Sequence, residues 1–126
     1  MRPVVYDTGV LIAADRGQRR TWAEHRVRLE AGVIPLVPAP VVAQASRSPK
    51  QAQMRLLLRG CEVVPLDETA AHLAGSLLGK TRTKDVVDAA VAVLSIRRGA
   101  DVVSDDAEDI QRLLSVARAK VSIIDV

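Results

Sequence analysis

The chain opens on an apolar run that closes on an acid and then turns, Val4-Val5-Tyr6-Asp7-Thr8-Gly9, and the construction returns late in Val102-Val103-Ser104-Asp105. A short continuous apolar run ending at a turn is the pattern of a strand buried on both faces, as in parallel sheets. Open α/β sheets carry their functional groups at the carboxyl ends of the strands. Two strands of this kind therefore point carboxylates at one rim.

The segments between them read by their punctuation. Strands are predicted at about 4–7, 33–37, 61–66, 100–104 and 121–124. A short helix runs from Thr8 to Gly17, and a second covers 18–31, with Trp22, Val27 and Leu29 at helical spacing and Gly32 as its stop. Pro38 and Pro40 open a helix through Val41-Val42-Ala43-Gln44, proline being tolerated in a first turn. Another helix starts near Ser48-Pro49 and closes at Gly60; Asp67 caps one that ends at Gly79. A basic, flexible stretch, Lys80 to Lys84, precedes a helix opened by Asp85 and running to about Arg98, and the last helix covers 106–117. Strands alternating with helices give an α/β fold: a single domain over residues 1–126, with a central parallel sheet of about five strands and helices on both faces.

Composition narrows the function. The 48% hydrophobic content is carried by Val, Ala and Leu, with no Phe, one Trp and one Tyr. This argues against base recognition on aromatic stacking platforms. The single Cys61 supports neither a disulfide framework nor a thiolate zinc site and reads as a small strand residue. The N-terminus lacks a signal-peptide pattern and no apolar stretch approaches the roughly 20 residues that span a bilayer, so a soluble cytoplasmic protein without membrane contact is expected. The net charge of +3 is unevenly placed: Arg16 to Arg59 holds nine Lys or Arg against two Glu, and acids dominate elsewhere. A basic segment beside an acidic rim suits a polyanion drawn toward a metal-loaded pocket. Equally, Arg19, Arg20, Arg26 and Arg28 read as the solvated face of one helix.

A third acid lies in Val86-Val87-Asp88-Ala89-Ala90-Val91-Ala92-Val93-Leu94, a helix apolar nearly all round and therefore buried. An unpaired carboxylate there costs several kcal/mol, so something cationic should compensate. The structural alternative makes Asp85 the N-cap and Asp88 an acid answering the helix dipole.

Asp7-Thr8 after the first strand, Asp-Ala-Ala-Val-Ala from Asp88, and Val103-Ser104-Asp105 followed by Asp109 together resemble the PIN domain, in particular the VapC toxins of bacterial toxin–antitoxin pairs. The resemblance implies a metal-dependent endoribonuclease. Asp7, Asp88 and Asp105 would be its catalytic acids and the ligands of one or two Mg2+ or Mn2+ ions that activate water against an RNA phosphodiester. It also implies a small VapB-like antitoxin and a homodimer. Apolar helical surface near Leu11, Ile12, Trp22, Met54 and Leu57 is the expected receptor for a partner helix.

One departure stands out. The helix after the second strand usually brings a Glu into the PIN pocket, and here that residue is Gln44. An amide offers an oxygen to a hard cation but removes a full charge. Asp85, one turn before Asp88, is a candidate to restore it; Asp106 and Asp109 are weaker candidates, as acids in a first turn are ordinary. Thr8 and Ser104 adjoin the acids and read either as supports for a metal-bound water or as helix caps. His25, among Glu24, Arg26 and Arg28, is expected to be exposed, and neither it nor His72 has a zinc-like neighbour. Rival readings are a PIN fold with weakened or lost catalysis that binds RNA or protein, which Gln44 favours, a partner-binding structural subunit, and a receiver domain. The last needs an acid pair after the first strand, where Asp7 stands alone.

Overall fold

Five strands of three or four residues carry the architecture. The computed structural model describes residues 1–126. Strand β1 (Val4–Tyr6) is wholly buried and sits at the centre of the sheet, flanked by β2 (Leu36–Pro38) and β4 (Asp101–Ser104), with β3 (Glu62–Val64) and β5 (Ile123–Asp125) outermost. Every pairing is parallel, in the order β3-β2-β1-β4-β5. The chain therefore builds outward from β1 in one direction and then returns to build in the other. Between β1 and β4 lies the switch point where an open α/β sheet leaves a crevice at its carboxyl edge.

Seven helices cover this sheet: α1 (Thr8–Asp15), α2 (Arg19–Glu30), α3 (Ala39–Ala45), α4 (Ala52–Arg59), α5 (Glu68–Thr81), α6 (Val86–Arg98) and α7 (Ala107–Val116). Helix α6 packs on β1, β2 and β4 with α5 and α7 beside it, while α1 packs on β1 and β4 and gathers α2, α3 and α4. Asp88 to Ser95 of α6 are all buried, as an apolar circumference requires. Gly99 ends α6 in the left-handed region at φ 60°, where a glycine carries no Cβ penalty. The core is one cluster of 27 buried apolar residues, and no helix is long and apolar enough to cross a membrane.

Several boundaries differ from expectation. Strand two starts at Leu36, because the amide of Val33 turns back to the carbonyl of Arg28 at 2.9 Å. Helix α4 starts at Ala52, because the Gln51 side chain first accepts the amides of Arg47 and Ser48 at 2.6 and 3.1 Å. Helix α5 passes through Gly79 to Thr81, held by the packing of Leu77 and Leu78, at the modest cost of a helical glycine. Cys61 precedes β3, its thiol directed to the carbonyl of Leu57.

The larger correction concerns α2, whose buried residues are Thr21, His25 and Arg28, whereas Val27 and Leu29 face solvent. Tyr6 explains the inversion. Its ring ends β1 with no solvent contact, so its hydroxyl needs partners within the protein. The hydroxyl shares a hydrogen bond with His25 Nδ1 at 2.8 Å and accepts from Arg28 Nη1 at 3.1 Å, and Trp22 lies edge-on to His25 with its own Nε1 on the Ala14 carbonyl. Burial pushes the Tyr6 hydroxyl up to about 12, and burial together with Arg28 lowers His25, so the pair stays phenol and neutral imidazole. His25 is thus neither exposed nor a ligand, and Arg28 has left the solvated face. Leu11, Met54 and Leu57 likewise lie in the core and offer no receptor surface; of the expected patch only Ile12 is exposed and Trp22 is half-buried.

Removing the hydroxyl strands two buried polar groups while keeping the ring. Tyr6→Phe is expected to lower stability by about 1–3 kcal/mol in urea denaturation; an unchanged midpoint would mean that His25 and Arg28 find other partners.

Candidate metal centre

The register of β1 against β4 builds the first half of the centre. Tyr6 pairs with Val103, and the amide of Asp7 continues the ladder to the Val103 carbonyl at 3.0 Å, which brings Asp7 level with Ser104. Asp7 is 3% exposed. It caps α1, one oxygen accepting the Thr8 amide at 2.8 Å and the other the Ser104 hydroxyl at 2.7 Å. Ser104 Oγ also accepts the amide of Asp106 at 2.9 Å, so one buried hydroxyl ties the β1 acid to the loop leading into α7. Burial raises the pKa of Asp7 against the pull of these donors, with Asp105 and Asp85 adding to the rise.

Helices α6 and α7 build the second half. Asp85 caps α6, accepting the Asp88 amide at 3.0 Å, so its carboxylate has the structural duty foreseen for a cap. Asp88 is 6% exposed, in the first turn of α6, and pairs with no Lys or Arg. Burial and the charges of Asp85, Asp7, Asp106 and Asp109 push its carboxyl up to about 7. Oxygens of Asp88, Asp106 and Asp109 lie within 4.8 Å of one another. Asp106 is itself raised, by partial burial and then by Asp109, Asp7, Asp105 and Asp85.

These observations sort the expected residues. Asp88 lies in the tight group, and Asp7 is electrostatically coupled to it from the head of α1. Asp105 is placed otherwise: its carboxylate lies against the α-carbon of Gly9 in the first turn of α1, where the Cβ of any other residue would overlap it. Its neighbour Asp106 instead joins Asp88. From sequence Asp106 looked like an ordinary first-turn acid; only its spacing from Asp109, one helical turn, hinted at a shared face. Gln44 is exposed on α3, and its amide oxygen accepts the Thr8 hydroxyl at 2.6 Å. Gln44 therefore reaches the rim through Thr8.

The donor set suits a hard divalent cation. All the groups are carboxylates or a hydroxyl, without sulfur or imidazole, which is the oxygen environment that Mg2+ or Mn2+ prefers over zinc. Mutual repulsion at Asp88 is the kind of tension that a bound cation relieves. Beside the group, Thr83, Lys84 and Arg112 line a cavity of about 100 Å³ with Asp85, Asp88 and Asp109. Arg112 stands 3.5 Å from Asp109 and is half exposed. The cations that line this cavity, Lys84 and Arg112, lie outside the basic segment from Arg16 to Arg59.

A model of the PIN domain family matches residues 4–114. Among solved structures, the chain is similar to VapBC2 from Rickettsia felis bound to a promoter DNA fragment, at 14% identity and TM-score 0.69 over 98% of both chains. It is similar to DNA-bound VapBC from Salmonella typhimurium, at 19% identity and TM-score 0.69 over 99% of this chain and 98% of that one. A toxin–antitoxin complex from Klebsiella pneumoniae matches at 16% identity and TM-score 0.65, over 84% and 88%. No curated protein matches by sequence.

The raised acid makes stability depend on pH. Unfolded, Asp88 ionises near 3.8; folded, it holds its proton to about 7. The folded state binds the extra proton between those values, so the contribution of Asp88 turns increasingly unfavourable as pH rises from about 4 to about 7. With divalent ions chelated, Asp88→Asn is expected to stabilise the chain by on the order of 2 kcal/mol at pH 8 and by little at pH 4, read by urea denaturation. Equal effects at the two pH values would remove the repulsive cluster.

Proposed function

The chain belongs to the PIN domain family, and from that premise we propose that it is a metal-dependent endoribonuclease of the VapC toxin kind, restrained by a small antitoxin. The observation that carries the proposal is Asp88: a buried carboxylate on an apolar helix, surrounded by acids and ion-paired with no Lys or Arg, at the switch point of a parallel sheet. A fold maintained only for binding has no need of that arrangement.

Asp88, Asp106 and Asp109 would hold the ion, with Asp7 and Asp105 adding negative charge to the same group. Bound there, Mg2+ or Mn2+ supplies a water of lowered pKa and stabilises charge on the phosphoryl oxygens. Ser104 and the Thr8 amide orient Asp7 and leave each of its oxygens with acceptor capacity for a water proton. Thr8, anchored on Gln44, holds the first turn of α1 against the rim. Lys84 and Arg112 offer cations to the phosphates flanking the cleavage point, which an RNA strand requires and which the acids alone would repel. The toxin–antitoxin complex among the structural neighbours supports a protein partner. Ile12 and Leu56 are apolar side chains left exposed on the α1–α4 side for an antitoxin helix, and Leu73, Ile96 and Val116 on the α5–α7 side suit a homodimer.

The proposal is tested on a random-sequence RNA oligonucleotide with Mg2+ or Mn2+. Asp7→Asn, Asp88→Asn and Asp106→Asn are each expected to lower cleavage by at least about a hundredfold, with folded circular dichroism spectra, and chelation is expected to abolish it. Cleavage that survives chelation would overturn the reading.

Gln44 tests the charge of the centre. Gln44→Glu keeps an acceptor for Thr8 and adds a negative charge, so Mn2+ binding measured by calorimetry is expected to tighten by about tenfold. Unchanged affinity would place position 44 outside the electrostatic reach of the ion. The loss-of-catalysis reading rests on Gln44 alone and predicts that Gln44→Glu is required for any cleavage.

A further inference from the structure

One stretch of the chain carries cations and no acids. From Ala31 to Cys61 there is no Asp or Glu, and Arg47, Lys50, Arg55 and Arg59 stand there without an ion pair, whereas Arg2, Arg98 and Arg112 elsewhere each face a carboxylate. Arg47 and Lys50 lie in the loop of residues 46–51 that joins α3 to α4, and both are exposed.

The loop is held in one shape by Gln51. Its Oε1 accepts the amides of Arg47 and Ser48 at 2.6 and 3.1 Å, its Nε2 donates to the Ala45 carbonyl at 3.0 Å, and the Lys50 amide donates to Ser48 Oγ at 3.0 Å. The Arg47 guanidinium folds back on the end of α3, where Nη1 donates to the Ser46 carbonyl at 2.7 Å and the Ala43 carbonyl at 3.4 Å. Its Nε and Nη2 make no bond within the protein and stay free to donate. A loop ordered before its ligand arrives binds at a smaller conformational cost.

Successive contacts lead from this loop to the acids and beyond. Ala43 and Ser46 stand on either side of Gln44, which accepts the Thr8 hydroxyl beside Asp7. Ser104 ties Asp7 to Asp106, which meets Asp88 and Asp109, and the last two share a cavity with Lys84 and Arg112. The carboxyl rim thus has cations at both ends and acids between them. A ligand that carries negative charge at regular intervals, with an ion under its middle, fits that order. Bases find no stacking platform, since the chain has no Phe, Tyr6 has no solvent contact and Trp22 packs against His25.

We propose that the α3–α4 loop is a second phosphate-binding subsite, in which Arg47 and Lys50 hold the RNA strand on the far side of the metal centre from Lys84 and Arg112. This rests on the nuclease reading for the identity of the strand and gives that strand a path. Held by its phosphates, the strand binds with little regard to sequence and with a steep dependence on salt.

The test measures the fluorescence anisotropy of a labelled oligouridylate of about twelve nucleotides, long enough to track a basic groove. Binding is read across a salt series on Asp88→Asn protein with divalent ions chelated, so that the strand stays whole. Introduced into that protein, Lys50→Ala and Arg47→Gln are each expected to weaken binding by about three- to tenfold near 0.1 M salt and to reduce the slope of log Kd against log salt by about 0.7. The Lys50 side chain makes no hydrogen bond or ion pair, so that variant tests the subsite without loosening the end of α3 that Arg47 caps. Arg26→Ala removes the same charge from the exposed face of α2 and is expected to leave affinity and slope unchanged. The proposal is overturned if the oligouridylate does not bind at low salt, if either loop substitution leaves affinity and slope unchanged, or if Arg26→Ala weakens binding as much. A protein that shows the expected binding but cuts no RNA overturns the nuclease reading and leaves the subsite standing.

Discussion

Everything at the acidic edge depends on the register between β1 and β4. Pairing Tyr6 with Val103 sets Asp7 beside Ser104, and a shift of one residue would turn the acid into the sheet and the tyrosine out of it. The register is held from both ends. The carbonyl of Val103 accepts the Asp7 amide, and the Ser104 hydroxyl donates to the Asp7 carboxylate while accepting the Asp106 amide. Ser104, with no solvent contact, is thus the joint through which the strand order of the sheet becomes an arrangement of acids.

The price of that arrangement is electrostatic. Asp7, Asp88 and Asp106 are all shifted toward the neutral form, by burial first and by one another second. Neighbouring groups soften the cost unequally: Asp7 has two donors, whereas Asp88 has the partly exposed rim and no bonded cation. A site that holds acids together against their repulsion is less stable than a neutral one of the same shape, and a cation reverses the sign of the interaction. Any cation that bound among these acids would therefore add to the stability of the fold.

The contact between β1 and α2 solves a different problem. A tyrosine that ends the central strand leaves a hydroxyl inside the protein, and α2 answers it by turning His25 and Arg28 inward and leaving Val27 and Leu29 outside. That inversion brings the Arg28 guanidinium inside, where it donates to Tyr6, lies over the Tyr6 ring and pairs with Glu24 at 3.8 Å. The charge taken in by α2 is thus compensated within the protein, whereas Asp88 pairs with no Lys or Arg.

The parallel α/β class, the five strands, the order of helices, and the placement of Asp7 at the end of the first strand and of Asp88 on a buried helix were legible from sequence, because buried strands are continuous apolar runs and a helix apolar nearly all round is buried. Caps at Asp67 and Asp85 followed from local backbone chemistry. The face of α2 was not legible: the periodicity of Trp22, Val27 and Leu29 pointed the wrong way, since nothing in that helix records a buried hydroxyl on a strand far earlier in the chain. Nor could spacing decide between Asp105 and Asp106, which are adjacent; Gly9, by leaving room for the Asp105 carboxylate against α1, frees Asp106 to meet Asp88. The sequence by itself determined which elements form and where each carboxylate leaves its strand or helix, because these depend on neighbours in the chain. Only the tertiary structure decided which carboxylates meet and which side of α2 is buried, because those depend on close contacts between residues that the chain keeps far apart.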